Sequence, residues 1–276
     1  MSLTALAEAS PSPALQRARG EGRVIANVRD GTTEIAALYQ EGCAKIRLPH
    51  THDASLQAVL MNTAGGLCGG DHIRWTATAK EQARLVVTTP ACERVYRSAD
   101  DSARIENRLV AEAGAHLDWL PQETILYEGA QLSRTLEVDL APDATFTGVE
   151  TILLGRQAMG ESAPNAKLRD SWRVRRGGKL IHAEATLLTT DPAERKSSSL
   201  LAGMTAFATL LHISPTAERQ LDSVRALLPE TGGASLIGDK LTVRLMAESG
   251  LALRRALSPI IALLSSAGSL PRLWSL

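Results

Sequence analysis

Three short strings, Ala83-Arg84-Leu85-Val86, Ala115-His116-Leu117-Asp118 and Ala144-Thr145-Phe146-Thr147, each follow a polar turn that contains Glu81, Gly114 or Asp143. They lie 32 and 29 residues apart. A unit of about thirty residues cannot bury its own apolar face and is stabilised by stacking on its neighbours. The recurrence therefore suggests stacked β layers of a solenoid kind. The competing explanation is coincidence, because alanine before an apolar residue is common in this chain. Alternation supports strands in either case. Leu136, Val138 and Leu140 alternate with Thr135, Glu137 and Asp139, the period of a half-buried strand. Trp172 and Val174 alternate with Arg173 and Arg175, and Gly177-Gly178 then turns the chain towards Leu180 and Ile181 as a hairpin. Trp119 and Trp172 stand in the apolar phase and read as core anchors.

Residues 1–21, rich in Ala, Ser and Pro, read as a flexible leader, and 22–276 as a single domain. Its β body spans 22–190. Beyond Asp191-Pro192 the pattern changes. Apolar residues fall at helical spacing over 200–211 and 216–228, the latter with Leu221, Val224, Leu227 and Leu228 on one face. A strand is expected from Lys240 to Met246. Helical spacing resumes over 251–264, where Pro259 is expected to kink or divide the helix. The fold class is thus mainly β, with a smaller α-helical portion near the C-terminus.

At 276 residues and 44% hydrophobic, the chain is large enough for a substantial core. Its 30 basic and 30 acidic residues balance, which argues against a nucleic-acid partner. No stretch reaches the length of a membrane span, and residues 1–22 lack the apolar run of a signal peptide, so a cytoplasmic protein with no membrane partner is expected. Cys43, Cys68 and Cys92 form neither an even set nor a C-x-x-C pair, which gives no disulfide framework or zinc knuckle.

The motifs offer little catalytic chemistry. Four glycines crowd the segment Asn62-Thr63-Ala64-Gly65-Gly66-Leu67-Cys68-Gly69-Gly70-Asp71. No Gly-Lys-Ser/Thr follows, and His72-Ile73-Arg74-Trp75 continues as a strand, so the segment reads as a tight turn or bulge rather than a phosphate loop. Gly233-Ala234-Ser235-Leu236-Ile237 lacks the second glycine of a nucleophile elbow. His50 and His52 would share a strand face but follow Pro49 and read as a loop pair. Cys68 and Cys92 are soft-ligand candidates or buried fillers. Asp71, Glu93, Glu123, Glu150, Glu161 and Glu184 are expected near turns or strand ends, with no fixed dyad spacing.

Several strings together are similar to the urease accessory protein UreD family. The Gly-rich segment resembles its Gly-Gly-x-x-Gly-Gly-Asp signature through Gly65, Gly66, Gly69, Gly70 and Asp71. Tyr96-Arg97-Ser98 is similar to a Tyr-Arg-Ser segment, and Asp118-Trp119-Leu120-Pro121-Gln122-Glu123 to a Trp-Leu-Pro-Gln element. Gly155–Glu161, Gly233–Leu236 and Leu270-Pro271-Arg272-Leu273-Trp274 follow in order, so the resemblance runs from about residue 22 to the C-terminus. Cys68 and Cys92-Glu93-Arg94 depart from the usual residues.

The resemblance implies a β-helical body, C-terminal helices and no catalysis. It implies UreF-like and UreG-like partners, docking on apo-urease, and nickel insertion there with GTP hydrolysis left to the UreG-like protein. No tightly bound cofactor is implied; nickel would be transient. Asp71, Glu150 and Glu184, beside apolar strand neighbours, are the expected stepping points of a nickel path, since oxygen ligands release a divalent ion that a Cys/His cage would trap. Leu270, Pro271, Arg272 and Trp274, read as exposed, are the expected docking residues for a helical partner. A β-rich metal-dependent hydrolase and a purely structural scaffold are the rival readings.

Overall fold

The computed structural model describes residues 16–50, 54–99, 101–265 and 270–275. Two sheets wind around a shared apolar interior. The first carries β1 (Arg19–Arg29), β2 (Thr32–Gly42), β5 (His72–Ala79), β8 (Ala103–Ala111), β11 (Gln131–Leu140), β13 (Lys167–Arg176) and β14 (Lys179–Leu188), in the order β14-β13-β11-β8-β5-β1-β2. The second carries β3 (Ala44–Arg47), β4 (Leu56–Asn62), β6 (Arg84–Thr88), β9 (His116–Leu120), β12 (Thr145–Leu154), β15 (Ala206–Ile213), β16 (Gly232–Ile237) and β17 (Lys240–Ala247), in the order β16-β17-β15-β12-β9-β6-β4-β3. Two short strands, β7 (Glu93–Val95) and β10 (Thr124–Leu126), run parallel to each other and to β12 along one corner.

The thirty-residue recurrence is the coil of this solenoid. β5, β8, β11 and β13 pair in parallel in the first sheet, while β4, β6, β9 and β12 do so in the second. Arg84, His116 and Thr145 stand in one row, and the preceding Ala83, Ala115 and Ala144 are buried at the corner. The turns are alike: Ala83, Ala115 and Ala144 each donate their backbone N–H to the carbonyl three residues earlier, at 2.9–3.2 Å. The three alanine side chains are fully enclosed at these corners.

The leader boundary falls earlier than expected from composition, because β1 begins at Arg19 and pairs in parallel with β5. Its glycines serve close approach. A Cβ at Gly22 would lie 2.3 Å from the Trp75 ring. Residues 1–15 of the predicted leader, and His52, lie outside the described residues.

The helix expected over 200–211 is instead β15, preceded by turns. Leu211 and Ile213 face the solenoid interior while Ala208 and Leu210 face a second core. A strand buried on both faces loses its alternation, and its continuous apolar run imitates helical spacing. The other C-terminal elements form as expected: α2 (Ala217–Leu227), β17 and α3 (Gly250–Leu264), after a short α1 (Pro192–Lys196). α3 is not divided at Pro259. Leu253, Leu257, Ile260, Ile261 and Leu264 are buried along one side of it and pack over the outer face of the second sheet, on Leu120, Val149 and Leu210. That packing outweighs the one backbone hydrogen bond a proline removes.

Candidate functional site

The largely apolar interior of the solenoid contains a file of polar side chains. Inward positions of β11 read Leu132, Arg134, Leu136, and those of β13 read Leu168, Asp170, Trp172. Arg134 is therefore forced inside by strand phase, and it is met there by two carboxylates. Its guanidinium lies 2.5 Å from Glu150 Oε2 and 2.5 Å from Asp170 Oδ2, with Thr124 Oγ1 at 3.2 Å. Trp119 Nε1 donates to Glu150 Oε1 at 2.9 Å. All of these side chains are buried. Glu150, expected near a turn, is in mid-strand.

Two carboxylates share one guanidinium, so the cluster is electrostatically unbalanced. Burial pushes the Glu150 carboxyl above the usual carboxylate range; Arg134 opposes this, Asp170 adds to it and the Trp119 N–H opposes it. Burial alone would lower the Arg134 pKa, but Asp170 and Glu150 hold it above its ordinary value. Asp170 Oδ1 and Arg134 Nε have no hydrogen-bond partner among the described residues.

The file continues on both sides. Towards β1, Glu93 stands in the same row as Thr124 and accepts from Asn62 Nδ2 at 3.2 and 3.3 Å. Burial raises its pKa to about 7. Beyond it lies the Cys43 thiol, raised first by burial and then by the charges of Asp71 and Glu93. Asp71 ends this side of the file, with Oδ1 accepting from the Ala18 N–H at 2.7 Å and Oδ2 from the Cys68 N–H at 2.8 Å. Towards β14, Glu150 is paired in register with Thr209, whose hydroxyl donates to Glu184 Oε1 at 3.1 Å. Glu184 is in mid-strand, with Arg244 at 3.2 Å and His182 at 3.7 Å. Burial alone would raise its pKa, yet the contacts with His182, Arg244 and Thr209 hold it below the usual range. Glu150 and Glu184 are thus linked through Thr209, while Asp71 and Glu93 stand on the Cys43 side. Arg134, Asp170 and Thr124 belong to the file too and went unnoticed in the sequence. The available signal was phase, since a charged residue takes an apolar slot in Leu132-x-Arg134-x-Leu136 and Leu168-x-Asp170-x-Trp172.

Among the described residues no three His, Cys, Asp or Glu side chains converge as a metal cage. A divalent ion in this file would meet carboxylates one or two at a time, which is the chemistry of weak binding.

The signature residues shape the edges of the same body. Gly65, Gly66 and Gly70 take positive φ, whereas Gly69 does not; a Cβ there would lie 2.2 Å from the Asp101 carbonyl. Tyr96 donates to the Gly65 carbonyl at 3.3 Å and stacks edge-on with Tyr127 at 5.0 Å. Arg97 bridges Ala130 and packs against Gly129.

The Trp119-Leu120-Pro121-Gln122-Glu123 element lies beneath the C-terminal layer. Glu123 and Gln122 clasp Arg254 of α3, and Gln122 Nε2 donates to the Leu273 carbonyl at 2.9 Å. Trp274 Nε1 donates to the Leu120 carbonyl at 2.9 Å, with the Arg254 guanidinium 5.4 Å from its ring. The expectation that Trp274 is exposed is corrected: it is 1% exposed, Pro271 is also buried, and Leu270 is half-buried. Of the four tail residues, Arg272 is the exposed one. The apolar tail closes the chain's own second core. Burial, and then Glu123, push the Cys92 thiol up to about 12.

These features define a β-solenoid protein with stacked coils, a clamped helical layer and a file of interior carboxylates. The sequence matches the family described as UreD urease accessory protein over residues 18–275. It is 56% identical to the urease accessory protein UreD of Chelativorans sp. (strain BNC1), with both chains covered in full. It is 49% identical to that of Agrobacterium fabrum over 95% of this chain and 92% of the relative, and 49% identical to that of Rhizobium etli over 95% and 96%. The chain belongs to the UreD family of urease accessory proteins. Among the described residues, no helix is long and apolar enough to cross a membrane.

Proposed function

We propose that this chain is a cytoplasmic, non-catalytic component of the machinery that inserts nickel into apo-urease, working with a UreF-like helical protein and a UreG-like GTPase. The observation that carries the reading is the match along almost the whole chain to proteins named for urease maturation. The nickel route is the finer part of the proposal. Asp71, Glu93, Glu150, Asp170 and Glu184 offer oxygen ligands in succession through the solenoid, over about four interstrand spacings, or roughly 20 Å. Oxygen ligands met one or two at a time release a divalent ion readily.

One observation favours a scaffold role instead: Arg134 holds a fixed positive charge in the middle of the file. A cation passing there would have to displace it from Glu150 or Asp170. The overall reading is tested by expressing urease subunits and the other accessory proteins in nickel-supplied cells, with and without this chain. Urease purified without it is expected to be nickel-poor and inactive. Equal nickel content in both would refute the reading.

A further inference from the structure

The two sheets end unequally. Past β13 the first sheet has a single further strand, β14, whereas past β12 the second has β15, β17 and β16. The second sheet overhangs, and the outer edge of β14 has no strand partner among the described residues. Between that edge and the overhang lies a groove of about 730 Å³ along Glu184–Leu188, floored by Phe207, Met246, Arg244 and Gly233. The turn at Leu200 and Leu201 lines one end of it.

This edge is blunted at one end, where Lys179 opens β14 and the pairing with β13 shifts register beside Arg175, while the stretch beyond is bare. Sheet edges are protected by Lys, Pro or charge. Ala183-Glu184-Ala185-Thr186-Leu187-Leu188 contains no Lys or Pro, and its one charge, Glu184, points inward and is neutralised by Arg244. Leu187 is 64% exposed. The overhang opposite is small and open: Gly233 and Ser235 are exposed, and a Cβ on Gly233 would meet nothing within 4 Å.

Charge decides what fits. On the outer face of the first sheet, Arg169, Arg173 and Arg175 of β13 stand in register beside Leu187, Ala183 and Leu180. None makes an ion pair among the described residues, although Glu137 and Asp139 stand opposite Arg173 and Arg175 on β11, Asp139 being 3.8 Å from Arg108. Arg173 already reaches over β14 to the Glu184 carbonyl at 3.1 Å, because Ala183 and Ala185 leave space. A strand added to β14 would place its outward side chains within reach of these arginines and its inward ones in the groove.

We propose that β14 is a docking edge for an extended segment of a partner protein, acidic on its outward face and aliphatic on its inward face, added as an antiparallel or parallel eighth strand. This goes beyond the urease reading. The test contains no urease component, so its failure leaves that reading standing.

The probe is a short fluorescent peptide alternating glutamate with valine, compared with its lysine–valine counterpart by anisotropy, using the full chain. The glutamate peptide is expected to bind saturably and to slow amide hydrogen exchange between Ala183 and Leu188. The lysine peptide should bind at least about tenfold more weakly, and Arg169→Glu with Arg175→Glu should reverse the preference. Gly233→Trp, which fills the groove from an open position, should abolish binding at unchanged melting temperature. If that variant melts early, Leu187→Glu on the exposed edge serves in its place and is expected to repel the glutamate peptide. No binding, equal binding of both peptides, protection at β2 or β16 instead of β14, or undiminished binding by the folded blocking variant would each overturn the proposal.

Discussion

Replacing Arg134 with Met removes the only positive charge from a cluster that then holds two carboxyl groups. Arg134 is 3% exposed, meets each carboxylate at 2.5 Å and lies in the apolar interior between Leu132 and Leu136. Methionine fills much of the same volume, so the loss is chiefly electrostatic. Removing one partner of a buried ion pair costs about 3–5 kcal/mol, because the remaining charge is stranded. The cost must also depend on pH. Without Arg134 to oppose burial, the Glu150 carboxyl would rise further above its unfolded pKa. Its unfavourable contribution is then absent below the unfolded value and grows as pH rises through the folded one. Urea unfolding at pH 5 and pH 8 reads this directly. We expect a loss of about 3–5 kcal/mol at pH 8, smaller at pH 5 by at least about 1 kcal/mol, the equivalent of less than one pKa unit. Adding Glu150→Gln and Asp170→Asn to Arg134→Met should recover most of it. A loss below about 1 kcal/mol at pH 8, or no difference between the two pH values, would show that the cluster is hydrated rather than dry.

Three further outcomes follow from single contacts. Gly69→Ala brings a Cβ to 2.2 Å from a backbone oxygen and should cost about 1–3 kcal/mol, more than Gly65→Ala, where the added Cβ meets open space; thermal melts that rank them the other way would contradict this. Glu93, with a folded pKa of about 7, contributes stability that is fully present below the unfolded carboxyl pKa and lost as pH rises through 7. Glu93→Gln should flatten that dependence and exceed the parent by up to about 3 kcal/mol at pH 8; a parallel pH–stability curve would refute the assignment. Trp274→Ala should destabilise the chain by about 3 kcal/mol in urea titration, because its indole is buried and hydrogen-bonded to Leu120. Unchanged stability with lost partner binding would restore the tail as a docking element.

The coil was legible because buried alanines recur at its corners, which marks Ala83, Ala115 and Ala144 at a spacing the parallel registers impose. The β13–β14 hairpin was legible for a similar reason, since Gly177 and Gly178 both take positive φ. Beyond Asp191 the rules weaken. β15 has two buried faces, so period two vanished and helical spacing took its place. Trp274 looked exposed because its burial comes from Leu120 and Arg254, both distant in sequence. The interior file was half visible. Asp71, Glu150 and Glu184 stood out among apolar neighbours, whereas Arg134 and Asp170 were hidden by treating surface charge as the default for strand residues. Their inward phase was readable all along, and only the pairing across coils shows that they meet.

The proposed part of the interior carboxylates in nickel delivery, beyond holding the fold, is tested most directly by the nickel content of urease matured in cells by the Glu93→Gln/Glu184→Gln variant, with assembly of the accessory complex checked by gel filtration. Glutamine preserves hydrogen bonding to Asn62 and Thr209 while removing the charge. The expected result is an intact complex and urease that holds substantially less nickel than with the parent chain. Full nickel content with an intact complex would contradict it and leave this protein as a scaffold.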